Sequence, residues 1–122
     1  MINEKKPIVV TMGEPSGISS EIIIKTWKKR RIYKIPPFVL IDDLQKLNRI
    51  NEKFNYKVNF QSIKNIETAN EIFSKSIPVI DLDRKINSVL GIPDTNNSKV
   101  VIESINKAFE LVLNNKASSM LT

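Results

Sequence analysis

The run Pro7-Ile8-Val9-Val10-Thr11-Met12 is apolar and β-branched, and it stops at a loop with two glycines, a proline and an acid, Gly13-Glu14-Pro15-Ser16-Gly17. A helix-start pattern follows directly, with Ser19 or Ser20 as candidate N-caps and Glu21 in the first turn. Strand, tight loop and then a helix from about Ser20 to Arg31 form the opening unit of a parallel α/β sheet. In such a sheet the loop lies at the carboxyl end of a strand, where these folds place ligands. Ile23, Ile24 and Trp27 fall on one face of the expected helix.

The unit then recurs. Pro36-Pro37 breaks the chain, and Phe38-Val39-Leu40-Ile41 is apolar at every position, as in a buried parallel strand. Asp42 and Asp43 end that strand and cap a short helix through about Ile50, with Leu44 and Leu47 on one face. Tyr56 to Phe60 alternates apolar and polar, which predicts a half-exposed strand. Residues 63–76 are weakly patterned, with Ile66, Ala69, Ile72 and Phe73 as a short helical face. In Ile77-Pro78-Val79-Ile80 the proline predicts an edge position or a strand start. Turn residues from Asp81 to Asn97 predict a long connection. The clearest helix runs from Ser98 to Asn114, with Val101, Ile105, Ala108, Phe109 and Val112 as its buried stripe, and Ala117 to Thr122 opens a further strand. Strands alternating with helices, without a hairpin signal, predict an α/β fold, a partial parallel sheet with flanking helices.

The chain contains neither histidine nor cysteine. A transition-metal site would need carboxylates and amides alone, and none cluster at suitable spacing. At 122 residues the chain holds one domain at most. The start, Met1 to Lys6 followed by the short run to Met12, is too soon interrupted for a signal peptide, and no apolar run spans a bilayer. A cytoplasmic, membrane-free protein is the expectation. The net charge of +6 comes mostly from scattered lysines. The one dense cluster, Lys28-Lys29-Arg30-Arg31, complements the end of the first helix, so no nucleic-acid partner is expected.

Gly13 and Gly17 let backbone approach a ligand, the helix start beyond them favours anions, and Thr11, Glu14 and Ser16 add hydroxyl and carboxylate groups. Neither Gly-x-Gly-x-x-Gly nor a Gly-x-x-x-x-Gly-Lys-Ser/Thr loop is present. A glycine-bearing turn with no ligand remains the plain alternative. Asp42, Asp43, Asp81 and Asp83 read as turn formers and caps, with a ribose-binding acid as the alternative for the first pair.

Met12-Gly13-Glu14-Pro15-Ser16-Gly17-Ile18 with Glu21 resembles the amino-terminal signature of the 4-hydroxythreonine-4-phosphate dehydrogenases, which reads Gly-Glu-Pro-Ala/Ser-Gly-Ile-Gly-Pro-Glu. Gly91-Ile92-Pro93, the helix after it and the closing Ala117-Ser118-Ser119-Met120-Leu121-Thr122 resemble the family's approach to its next motif, Thr-x-Pro-x-x-Lys. Ser19 and Ser20 depart from the family's Gly-Pro, and a left-handed Ser19 would cost ~1 kcal/mol. The resemblance implies a fold like that of isocitrate and isopropylmalate dehydrogenases, with residues 1–122 as the amino-terminal part of a larger enzyme, ending inside a strand. It implies a homodimer that uses NAD(P) and a divalent metal (Zn, Mg or Co) to oxidise a phosphorylated hydroxy-amino acid, 4-phosphooxy-L-threonine, in pyridoxal phosphate biosynthesis. The product is a 3-oxo acid that decarboxylates. The three histidine metal ligands would be absent from this chain, which alone is expected to be inactive. On this reading Thr11, Gly13, Glu14, Ser16 and Gly17 line the cofactor and substrate cleft. A paralogous dehydrogenase of another phosphorylated hydroxy acid, or a stand-alone anion- or nucleic-acid-binding module, are the alternatives.

Overall fold

Val9, Val39 and Ile41 face one side of the central sheet, Val10, Leu40 and Val79 the other, and all six are buried. A strand covered on both faces needs apolar residues at successive positions, which is why these runs lack polar alternation. The computed structural model describes residues 5–122. Met1–Glu4, the head of the start weighed above as a signal peptide, lie outside the described residues. In chain order the elements are β1 (Ile8–Thr11), α1 (Ser19–Lys28), β2 (Phe38–Asp42), α2 (Leu44–Phe54) and β3 (Phe60–Ser62), followed by α3 (Ala69–Ile72), β4 (Ile77–Asp81), α4 (Ser98–Leu113) and β5 (Ser119–Leu121). The sheet runs β3-β4-β2-β1-β5 and is parallel throughout, with Val9 opposite both Val39 and Met120.

Helices cover both faces. Ile24 and Trp27 of α1 and Leu47 and Ile50 of α2 pack on Val10, Phe38, Leu40 and Val79. Ala69 of α3 and Ala108 of α4 pack on Val9, Val39 and Ile41. The α/β class with a parallel sheet and flanking helices is therefore as the sequence reads. No helix among the described residues is long and apolar enough to cross a membrane.

Several local expectations are corrected. The first helix begins at Ser19 and stops at Lys28, with Ile18 as its cap residue and no side-chain cap hydrogen bond, so neither serine is the N-cap. Ser19 is helical, and the left-handed cost does not arise. The strand expected over Tyr56 to Phe60 starts only at Phe60, because Lys57 is left-handed at φ 58° and breaks the extended backbone. Pro78 lies in an interior strand, between β3 and β2, and the strand-start reading is the one that holds. Ile77 N–H donates to Asn59 and Leu82 N–H to Asp42, so odd positions of β4 bond toward β3 and even ones toward β2. The ladder to β2 begins at Val79 opposite Leu40, just past the missing N–H.

The buried stripe of α4 is also displaced. Val100, Ser104 and Ala108 face inward, whereas Phe109 is 57% exposed. The inward residue that an apolar pattern misses is Ser104, which is fully buried because the ends of β1 and β2 use its hydroxyl. Ile102, Phe109 and Leu113 share the opposite, outward face.

Candidate functional site

The carboxyl ends of β1, β2 and β4 lie side by side, so the segments leaving them meet at one edge of the sheet. Thr11, the last residue of β1, is buried, and its hydroxyl donates to the Thr122 hydroxyl at 2.9 Å. Met12 N–H donates to Ser104 Oγ at 3.1 Å, while Ser104 Oγ donates to the Ile41 carbonyl at 2.7 Å. That hydroxyl joins both strand ends to α4. Ser19 Oγ then donates to the Met12 carbonyl at 2.8 Å and closes the loop on itself.

Within the loop, Gly13 sits at φ 64°, and a Cβ there would lie 3.1 Å from Ser19 Oγ. A Cβ on Gly17 would lie 3.2 Å from the Glu14 carbonyl, the group that accepts from Gly17 N–H. Both glycines are accounted for by close approach within the loop itself. Glu14 is exposed, and its Oε1 accepts from Ser16 N–H at 3.1 Å. Ser16 is buried, and its Oγ has no hydrogen-bond partner, an unusual condition for a buried hydroxyl. Its carbonyl accepts from Gly91 N–H at 2.8 Å, which docks the connection after β4 onto the β1–α1 loop.

The structure thus brings Gly13, Glu14, Ser16 and Gly17 together, with Thr11 behind them. Cavities of 790 Å³ and 620 Å³ are lined by other residues. The larger is bounded by the segment after β3 and by α4, the smaller by α2 and residues 85–94.

Asp42 and Asp43 are turned inward. Asp43 caps α2, its carboxylate accepting from Lys46 N–H at 2.8 Å. Asp42 pairs with the Lys46 ammonium at 2.8 Å, with both side chains nearly inaccessible to solvent. Burial pushes the Asp42 carboxyl above its usual range, and the Lys46 ammonium beside it opposes the rise. Asp81 Oδ1 accepts from the backbone of Leu44 and of Asp83. These acids hold the strand ends. Sequence reasoning missed Lys46, although an aspartate four residues ahead of it, at the strand-to-helix junction, was a usable signal.

Two of the four side chains of the basic cluster are engaged within the chain. Lys28 donates to the Tyr56 carbonyl, and Arg30 stacks 3.7 Å from the Trp27 ring centroid while donating to the Ser74 carbonyl. Among the described residues no group of three metal-binding side chains occurs.

No protein-family model matches the chain. A 4-hydroxythreonine-4-phosphate dehydrogenase from Methylorubrum populi is 32% identical, aligned over 100% of this chain and 35% of the relative. Among solved structures, the 4-hydroxythreonine-4-phosphate dehydrogenase from Klebsiella pneumoniae superposes with a TM-score of 0.79 at 26% identity, covering 95% of this chain and 36% of that one. The enzyme of that name from Burkholderia phymatum has the same fold, with a TM-score of 0.83 at 22% identity over 97% of this chain and 36% of its own. The chain spans about a third of the length of the relatives it matches. In sequence and in fold it matches about a third of a 4-hydroxythreonine-4-phosphate dehydrogenase.

Proposed function

We propose that these residues serve as the amino-terminal part of a larger NAD(P)-dependent dehydrogenase, with the β1–α1 loop as one wall of its cleft. The substrate on this reading is 4-phosphooxy-L-threonine, oxidised to a 3-oxo acid that loses carbon dioxide to give 3-amino-2-oxopropyl phosphate, in pyridoxal phosphate biosynthesis. The observation that carries the reading is the loop. It has the family's Gly-Glu-Pro-Ser-Gly-Ile sequence at the carboxyl end of a central parallel strand, with a buried Ser16 hydroxyl that lacks a partner.

The residues present fit a phosphate-bearing cofactor. The first turn of α1 has no side-chain cap, so the backbone N–H groups around Ile18 to Ser20 are left for an anion. When bound, the nicotinamide accepts the hydride. The chain's own contribution is positional. Gly13 and Gly17 keep the turn tight, and Glu14 holds the Ser16 amide, which fixes the loop's height above the strand end. The divalent metal does not fit these residues, which offer no histidine, no cysteine and no acidic trio among those described. Its ligands are assigned to polypeptide outside this sequence, and no step is derived through it. The family's homodimer and a cytoplasmic setting are part of the same proposal.

A chimera tests the reading. The matching third of the Methylorubrum populi relative is replaced by this chain, and NAD-linked oxidation of 4-phosphooxy-L-threonine is followed. Ser16→Ala and Glu14→Gln are expected to lower kcat/KM about tenfold or more, a loss of ~1.4 kcal/mol of transition-state binding. A folded, active chimera indifferent to both substitutions would refute the cleft assignment.

A further inference from the structure

Lys46, Arg49 and Lys53 fall at i, i+3 and i+7 on α2 and line a 270 Å³ cavity roofed by Ser88, Val89 and Leu90. Arg49, Ser88 and Val89 also line the 620 Å³ cavity, together with Lys85, Ile86, Ile92, Pro93 and Asp94. The two cavities adjoin at Arg49, Ser88 and Val89 and together form a groove between α2 and the connection after β4. Its size suits a small organic ligand.

The groove carries both cationic and apolar side chains. Three exposed cations, Arg49, Lys53 and Lys85, line it against the one carboxylate of Asp94, while the Lys46 ammonium is turned inward onto Asp42. Arg49 Nη2 donates to the Ile86 carbonyl at 2.9 Å, which holds the guanidinium across the opening with the rest of its donor fork free for a ligand. Lys53 lies beside it, 5.7 Å from the Phe54 ring centroid. On the side of the connection, Val89 and Ile92 pair across a turn while remaining 63% and 62% exposed. Two large apolar side chains thus stand in water in the same cavity as the Arg49 guanidinium.

We propose that this groove binds a phosphate ester with a flat apolar body, of the nucleoside monophosphate class. The phosphate sits against Arg49 and Lys53, and the base lies on Val89, Ile92 and Pro93. Bidentate guanidinium–phosphate pairing supplies orientation, and burial of the exposed turn supplies selectivity for the base. The site is built from α2 and the connection and does not depend on the dehydrogenase reading of the β1–α1 loop.

The test is an NMR titration of the full 122-residue chain with AMP, adenosine and inorganic phosphate in parallel. AMP is expected to shift the amides of Arg49, Lys53, Ser88 and Val89, and to bind at least about tenfold more tightly than either part alone. Arg49→Gln with Lys53→Gln should weaken AMP about tenfold or more. Lys28→Gln with Lys29→Gln, at the other basic cluster, should leave AMP affinity unchanged. Glu14→Gln should also leave it unchanged, which separates this groove from the loop. If the α2 double variant does not fold, Lys85→Gln, at an exposed side chain, carries the same expectation of weakened AMP binding. Absence of AMP binding at millimolar concentration overturns the proposal. So does inorganic phosphate binding as tightly as AMP, or AMP affinity unmoved by the groove substitutions.

Discussion

Replacing Lys46 with methionine isolates the energetics of a charge pair placed where water does not reach. The two side chains are 1% and 4% exposed, and the ammonium contacts both carboxylate oxygens, at 2.8 and 2.9 Å. Without the lysine, Asp42 keeps one hydrogen bond, from Asp43 N–H to Oδ1 at 2.6 Å. Removing one partner of a buried pair costs ~3–5 kcal/mol, and the surviving amide bond puts Lys46→Met near the lower figure, about 3 kcal/mol. That is a substantial part of the roughly 6–18 kcal/mol expected for a domain of this size. Adding Asp42→Asn keeps the oxygen that accepts from Asp43 but removes the charge, so the double variant should regain all but about 1 kcal/mol. Urea unfolding followed by far-ultraviolet circular dichroism gives both values, with an unchanged slope as the control. The pH dependence has a definite sign. Burial holds the folded Asp42 carboxyl above its unfolded value, and in Lys46→Met only the hydrogen bond from Asp43 N–H still opposes the rise. The native state then binds the proton more tightly, so the variant's deficit is full above the raised pKa and shrinks as pH falls through it toward the ordinary carboxylate range. A single-variant loss under about 1 kcal/mol, or a double variant as unstable as the single, would refute the reasoning.

Three smaller perturbations probe the loop and α4. Gly13→Ala forces a Cβ onto a residue at φ 64°, 3.1 Å from Ser19 Oγ, and should lower stability by ~1–2 kcal/mol, read as a drop in Tm by scanning fluorimetry. Ser104→Ala strips the Met12 N–H of its acceptor and the Ile41 carbonyl of a donor, a loss of ~1–3 kcal/mol in urea titration. Ile102→Ser with Phe109→Ser changes only outward residues of α4, so unfolding free energy should stay within about 0.5 kcal/mol per site while self-association measured by sedimentation falls.

The elements whose pattern repeats over many residues were legible. Phe38 to Ile41 announces a doubly covered strand because every position is apolar, and the loop at Gly13 to Gly17 announces itself by residues that only a tight turn needs. What the pattern could not carry is buried polarity. Ser104 and Lys46 occupy inward helix positions that a hydrophobicity count assigns to solvent, since both are held by hydrogen-bonding partners distant in the chain or across a turn. The strand over Tyr56 to Phe60 failed for a different reason. Its alternation is real in burial, with Val58 inward, but a left-handed Lys57 keeps the backbone out of the ladder. For the candidate site, sequence located the loop and gave no hint that residues 85–94 fold back onto Ser16, because that docking is one main-chain bond with no residue signature.

One serine oxygen governs how a sixteen-residue helix is clocked about its own axis. Rotation of α4 by a single position would carry that oxygen off both strand ends at once, so the helix has one azimuth rather than a range of nearly equivalent ones. The direction in which Ile102, Phe109 and Leu113 are displayed is therefore inherited from the strand termini, and whatever surface meets that face is aligned with the loop beyond β1 before contact is made.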